Sequence, residues 1–277
     1  MTTGFGLDLS GYSSRGSAIA RADRIETGTI GVTTYRNCCF ASKTEGRDRL
    51  SEVTADEVKK LRHYMGAGKL VVDVCIDLQG LPAPSHAEFV WGLTKRPVDR
   101  AFTALPPLAD KIGSYVARMK SLCDRLNSKG DQPLGKSLFE TYPAACLELI
   151  GLKPKKYKGQ AEWAGATWLG AGHESPIEQE KNDNLATMLN RLGWKSEKGT
   201  LLGHDQFDAA ICALVAVATE DELVCEQQLE SMICQRLLKK KAMSKPYNQS
   251  LAPPLGYRLL AKMNAKVHII VCEGEVD

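Results

Sequence analysis

Apolar and polar positions along the chain repeat with two different periods, and the switches between them mark out the elements. "GFGLDLS" (4–10) is a short apolar run ending in a polar turn. Residues 17–22 and 29–35 follow at hairpin spacing with Gly28 and Gly31 nearby, which predicts three successive antiparallel strands. Over 51–64 the period becomes helical, with Val53, Val58, Leu61 and Tyr64 on one face, Thr54 as a candidate N-cap and Gly66 as a stop. "KLVVDVCIDLQG" (69–80) is a nearly continuous β-branched run that reads as a central buried strand with Asp77 where it ends; Asp73 inside the run is either outward-facing or misassigned. A helix over about 109–127 precedes "KSLFETYPAACLELIG" (136–151), a short strand ending near Glu140 that passes through Pro143 into a helix stopped by Gly151.

Residues 184–192 form a further helix, and 152–182, mixing Lys, Gly, Trp and Pro, reads as an insertion or lid. "GHDQFDAAICALVA" (203–216) then has the small apolar residues of a buried helix. A charged amphipathic helix over 221–241 carries Leu223, Cys225, Leu229, Met232, Ile233 and Leu237, and "KVHIIVC" closes 257–272 as one more strand. The expectation is an α/β fold, a mixed β-sheet flanked by helices: one domain over 1–219 with a C-terminal helical and strand extension, 220–277, packed on it.

Composition narrows the class. The 277 residues are 43% hydrophobic and 25% charged, an ordinary globular balance, and the net charge of +3 is too small to argue for nucleic acid by itself. No apolar stretch approaches the roughly 20 residues that span a bilayer, and no leader pattern opens the chain, so the expectation is a cytoplasmic protein with no membrane partner. Nine cysteines, an odd number without a C-x-x-C pair, fit a reducing compartment and give no zinc pattern. Cys75, Cys146 and Cys212 sit in apolar runs as small buried hydrophobes.

The candidate chemistry lies in where the acids fall. Asp8 ends the first strand, Asp77 the central one and Glu140 the next, while Asp205 and Asp208, three apart, share a face at the start of the late helix. Neighbouring parallel strands bring their carboxyl ends to one rim, so these distant carboxylates could meet there. Such acids would repel one another unless cations compensate, and hard oxygen donors suit two Mg²⁺ or Mn²⁺ ions, the arrangement that hydrolyses phosphodiesters. Each acid also has a plainer reading. Asp8 suits an Asx-turn in "DLSG", Asp77 a turn before "LPAPS", and Asp205 an N-cap with Asp208 at the third helical position.

These same residues carry a resemblance. "GLDLSG", "CIDLQGLPAP" (75–84), "KRPVDRAF" (95–102), "FETYPAACLELIGLKPKKYK" (139–158) and "HDQFDAAICALVA" (204–216) resemble, in that order, the domain-of-unknown-function 429 family, described as predicted ribonuclease-H-like nucleases. "DQFDA" (205–209) is also similar to the D-x-x-D-A that closes the site of Holliday-junction resolvases of the ribonuclease-H superfamily. The resemblance implies a ribonuclease-H-like sheet and a metal-dependent nuclease acting on DNA or RNA. Asp8 would bridge two metals, and Asp77, Asp205 and Asp208 would complete the catalytic set. His204 would be a further ligand or its support, and Glu140, matched by the family motif, has no counterpart in resolvases. Asp77 stands where resolvases carry a glutamate.

Basic residues are the candidate substrate contacts. Arg96 and Arg100, flanking Asp99, suit either a bidentate phosphate contact or a salt bridge holding a loop. Lys155, Lys156 and Lys158 in "KPKKYK" suit either a phosphate backbone, with Tyr157 for stacking, or a solvated face. "RLLKKKAM" (236–243) reads as the basic end of a helix. Two other functions stay open: a noncatalytic nucleic-acid-binding or scaffold protein of the same fold, and, last, an actin-like or sugar-kinase-like ATPase, for which "GLDLSG" has a counterpart but no second phosphate loop follows. A two-fold homodimer through the 221–241 helix competes with packing of that helix on its own domain.

Overall fold

The computed structural model describes residues 1–9, 17–26, 28–36, 50–78, 94–107, 113–152, 157, 160–162, 176–192, 201–240 and 251–273. The first three strands, β1 (Thr2–Asp8), β2 (Ala18–Ile25) and β3 (Thr29–Arg36), form an antiparallel meander. Gly28 turns β2 into β3 with φ of 78°, a left-handed conformation that glycine adopts at no steric cost. Helix α1 (Leu50–Ala67) returns the chain so that β4 (Lys69–Val72) pairs parallel to β1, and after α2 (Pro97–Ala101) and α3 (Gly113–Ser128), β5 (Leu138–Glu140) pairs parallel to β4. Helix α4 (Pro143–Leu149) follows, then a small antiparallel pair, β6 (Gln160–Glu162) with β7 (Leu201–Gly203), separated in sequence by α5 (Pro176–Leu192). Helix α6 (His204–Val217), a one-turn 3₁₀ helix at Glu220–Glu222, α7 (Glu226–Lys239) and β8 (Lys266–Glu273) complete the order.

The six-stranded sheet runs β5-β4-β1-β2-β3-β8, and β2 alone is antiparallel to the rest. Side chains alternate across it. Phe5, Leu7, Leu70, Val72 and Leu138 enter a core with α1 and α3, whereas Val71 and Phe139 join the core built around α6. The α6 run from Phe207 to Val217 is buried throughout and, but for Asp208, apolar on every side, so this part of the helix lies inside the protein. Glycine lets it come so close. A Cβ on Gly6 would stand 2.0 Å from the Ala209 carbonyl oxygen and 2.2 Å from the Ala213 nitrogen, and one on Gly4 would meet the Ala216 Cβ at 2.5 Å. "GFG" in β1 and the alanines of α6 are thus two halves of one contact.

Several element boundaries differ from those the pattern predicts. Helix α1 is longer than 51–64, with Thr54 inside it, α5 begins at Pro176 rather than 184, and α7 begins at Glu226 rather than 221. The main correction concerns 69–80. β4 ends at Val72, and Val74, Cys75 and Ile76 belong to a buried loop rather than to a strand. Its backbone is satisfied outside the ladder, the Ile76 N–H donating 3.0 Å to a Glu140 carboxylate oxygen. The extension beyond 219 builds on the same sheet: β8 pairs with β3, and the buried Glu222 forms an ion pair with Arg24 of β2. Most of the 152–182 segment lies outside the described residues. Among the described residues no helix is long and apolar enough to cross a membrane.

Candidate active site

The register of β1 and β4 decides which acids meet. Gly4 pairs with Lys69 and Gly6 with Val71, and the ladder continues one step, the Asp73 N–H donating 3.0 Å to the Leu7 carbonyl. Paired residues of adjacent strands face the same side, so Gly4, Gly6 and Asp8 share a face with Lys69, Val71 and Asp73. That is the face on which α6 lies. Asp8 and Asp73 therefore stand side by side at the carboxyl ends of two parallel strands, where open α/β sheets build their sites. Asp208, 1% exposed, reaches the same place from α6. All three line one cavity of about 500 Å³.

Their combined field is felt by Cys212, one helical turn after Asp208: burial pushes its thiol well above the ordinary range, and Asp73, Asp8 and Asp208 push it further. Tyr157 closes over the same group, its hydroxyl donating 2.7 Å to Asp208 Oδ1 and its ring meeting Phe207 edge-on at 5.8 Å between centroids. Burial raises the Tyr157 phenol well above its ordinary value, and the Asp208 charge raises it again, so the proton of this hydrogen bond stays on tyrosine.

A second group of acids on the cavity wall is neutralised internally. Arg96, 2% exposed, directs its Nε and one Nη2 proton to Asp99 at 3.0 and 2.8 Å, and other protons to Glu140 at 2.5 and 3.0 Å. Its remaining N–H reaches the Asp77 carbonyl at 3.1 Å, so all five donors of the guanidinium are engaged. Local sequence builds this clamp: Pro97 opens α2, and Asp99, three residues after Arg96, also accepts the Arg96 backbone N–H at 2.9 Å. Burial opposes the charge on Arg96, but Glu140 and Asp99 outweigh it and hold the guanidinium protonated. Burial likewise pushes the Glu140 carboxyl upward, against the pull of Arg96.

No family model, curated protein or solved structure matches the chain.

The site thus keeps some of the residues marked in the sequence and exchanges others. Asp8 and Asp208 come together. Asp77 does not line the cavity; it lies five residues beyond the end of β4 and contributes its backbone carbonyl to the Arg96 clamp, and Asp73 holds the position at the strand end. Asp205 also does not line the cavity, and it is no N-cap: Gly203 is, with its N–H donating 2.7 Å to the Gln206 side chain. Asp205 pairs instead with its neighbour, His204 Nε2 standing 2.9 Å from Asp205 Oδ1 in a partly exposed position. Glu140 lines the cavity inside the clamp, which takes the salt-bridge alternative for Arg96 and leaves that guanidinium no proton for a phosphate. Arg100 is half-buried at the end of α2, and Lys155, Lys156 and Lys158 lie outside the described residues.

The signal that could have found Asp73 is that it is the first charge to interrupt an apolar run, as Asp8 is, but the apolar loop behind it masked the strand's end. As donors, Asp8, Asp73 and Asp208 offer the hard carboxylate oxygens that Mg²⁺ or Mn²⁺ prefers. Among the described residues no three His, Cys, Asp or Glu side chains are gathered as tightly as a bound ion would gather them.

Proposed function

We propose that the chain is a ribonuclease-H-like, metal-dependent nuclease of the domain-of-unknown-function 429 type, hydrolysing phosphodiester bonds in DNA or RNA through Asp8, Asp73 and Asp208. The observation that carries this reading is the delivery of three carboxylates, from the ends of two parallel strands and from a helix laid across them, into one cavity. The mixed sheet that begins as an antiparallel meander and continues in parallel strands supports it. The proposal departs from the sequence expectation in taking Asp73 for Asp77 and in leaving Asp205 outside the core of the site.

Two divalent ions held by these carboxylates would supply water activation at neutral pH and stabilisation of the leaving oxygen. The chain's own part is positional. Tyr157 fixes one oxygen of Asp208, and the Arg96 clamp ties the loop after β4 to the end of β5 so that the rim keeps its shape. The test is Mn²⁺ titration calorimetry beside cleavage of single-stranded, duplex, hybrid and branched nucleic acids. Asp8→Asn, Asp73→Asn and Asp208→Asn should each lose metal binding and cleavage with the fold retained, while Asp77→Asn keeps both. Full cleavage by Asp73→Asn would sink this assignment of the site.

A further inference from the structure

Among the described residues that line the cavity, Arg96 is the one cation, and its five N–H donors are all engaged. Away from the acids the wall changes character. Leu9, Val74, Leu105, Pro107 and Val116 line it with the half-buried ring of Tyr115, and Leu105 keeps 56% of its surface exposed. A volume of about 500 Å³ is in the range of sites that take organic molecules, and such sites are mostly apolar with a few polar groups that orient the occupant.

Tyr257 is such a group. It comes from the chain after residue 219, and a backbone ladder fixes it at the end of β5: the Glu140 N–H donates 3.0 Å to the Gly256 carbonyl, and the Arg258 N–H donates 2.8 Å to the Glu140 carbonyl. Thr141 Oγ1 donates 2.6 Å to the Arg258 carbonyl, and the Arg258 guanidinium stacks on Phe139 at 4.0 Å. Tyr257 is thus held firmly with 9% of its surface exposed, it lines the cavity, and its hydroxyl has no hydrogen-bond partner among the described residues. A buried hydroxyl is costly unless something satisfies it. Burial, then Glu140 and Asp99, hold its phenol well above the ordinary range against the pull of Arg96, so at neutral pH it is an uncharged donor and acceptor. A phosphate is poorly served beside two carboxyl groups and a fully engaged guanidinium. A flat uncharged group with apolar faces and a hydrogen-bonding edge matches the lining.

We propose that this side of the cavity receives one unpaired nucleobase of the strand whose phosphate lies at Asp8, Asp73 and Asp208, with the Tyr257 hydroxyl bonded to the edge of the base. The proposal rests on the nuclease reading and narrows its substrate to nucleic acid with an unstacked nucleotide, as in a single strand, a bulge or a branch, because a base inside a duplex does not reach such a pocket.

The test is fluorescence anisotropy in Ca²⁺, a hard cation of flexible coordination that compensates the carboxylates. Four labelled probes are compared: a single strand, its perfect duplex, the same duplex with one bulged base, and a single strand of abasic nucleotides. The wild type should bind the single strand and the bulged duplex more tightly than the perfect duplex. Tyr257→Phe should weaken those two by about fivefold, the worth of one neutral hydrogen bond, and leave the perfect duplex and the abasic strand unchanged. Its urea midpoint should equal that of the wild type, because the hydroxyl has no partner among the described residues to lose. Unchanged binding of the single strand by Tyr257→Phe overturns the base pocket, as does equal wild-type affinity for the two duplexes, and the nuclease reading then survives if the wild type cleaves. An equal loss on the abasic strand overturns it too, since the contact is then with sugar or phosphate. A midpoint that falls together with the affinity makes the hydroxyl structural and overturns the pocket as well. A wild type that binds no probe overturns the pocket and the nuclease reading alike.

Discussion

Gly6→Ala is the smallest change that tests how the site is assembled. The added Cβ would lie 2.0 Å from the Ala209 carbonyl oxygen and 2.2 Å from the Ala213 nitrogen, both backbone atoms, with the Cys212 Cβ at 2.7 Å. To reach even the 3.4 Å of an ordinary contact, α6 or β1 must retreat by about 1.4 Å, and neither is the free end of a flexible side chain. Overpacking of this kind typically costs about 1–3 kcal/mol, and a clash with two backbone atoms belongs at or above the top of that range. Urea unfolding reads it as a lowered midpoint at unchanged slope. Gly31→Ala is the control: nothing lies within 4 Å of its added Cβ, so it should be neutral or stabilising by a few tenths of a kcal/mol. Because Asp8 follows Gly6 on the same strand and Asp208 precedes Ala209 on the same helix, the retreat also separates the two carboxylates. A misplacement near 1 Å costs about 10²-fold in rate in well-positioned sites, so any cleavage activity should fall on that order while the protein remains folded. A Gly6→Ala protein with wild-type urea midpoint would refute the claim that β1 and α6 touch through glycine.

Other expectations concern the groups around the cavity. Arg96→Met should destabilise the protein by about 3–5 kcal/mol, because it leaves Asp99 and Glu140 buried without their cation, and Arg96→Met/Glu140→Gln should recover part of the loss; equal midpoints for the two variants would contradict the clamp. Tyr157→Phe removes a hydrogen bond to a charged group at little change in shape and should cost about 1.5–3 kcal/mol by urea unfolding; a cost below 0.5 kcal/mol would deny the bond to Asp208. Glu222 gives a pH signature. Burial works against its carboxylate, but the N–H groups of Thr219 and Asn264 and the charge of Arg24 win, and its pKa is lowered from 4.5. The stability it adds is therefore complete above pH 4.5 and lost as pH falls through the lower folded value, and Glu222→Gln should flatten that part of the stability profile.

How far the sequence disclosed this arrangement can be traced through three residues. Asp8 was legible because β1 stops where its apolar alternation stops, and glycines on either side of Phe5 left no competing element. Asp73 was not, because the chain after β4 stays buried without staying in the sheet. Val74, Cys75 and Ile76 are apolar for the sake of the core, and periodicity cannot separate a buried loop from a buried strand. Arg96 had two readings in the sequence because its deciding partner, Glu140, lies 44 residues further along the chain. The start of α6 shows the same limit at short range. Asp205 has the composition of a cap, but Gly203 and Gln206 take the cap between them, which frees Asp205 for His204 and carries Asp208 a turn deeper into the interior.

The pairing of β3 with β8 has a consequence for biosynthesis. Thr29 lies beside Lys266, so one side of β3 waits for its neighbour until almost everything else described has been made. Contacts so distant in sequence form slowly, and meanwhile β3 presents a row of unsatisfied N–H and C=O groups to any other strand. β8 therefore covers β3 and takes its place as the outer strand, with Val267 and Ile269 turned into the core and His268 and Ile270 left outside. A chain cut short before Lys266 would keep every carboxylate of the cavity and yet expose a sticky edge, so its first failure would be self-association during synthesis rather than loss of chemistry.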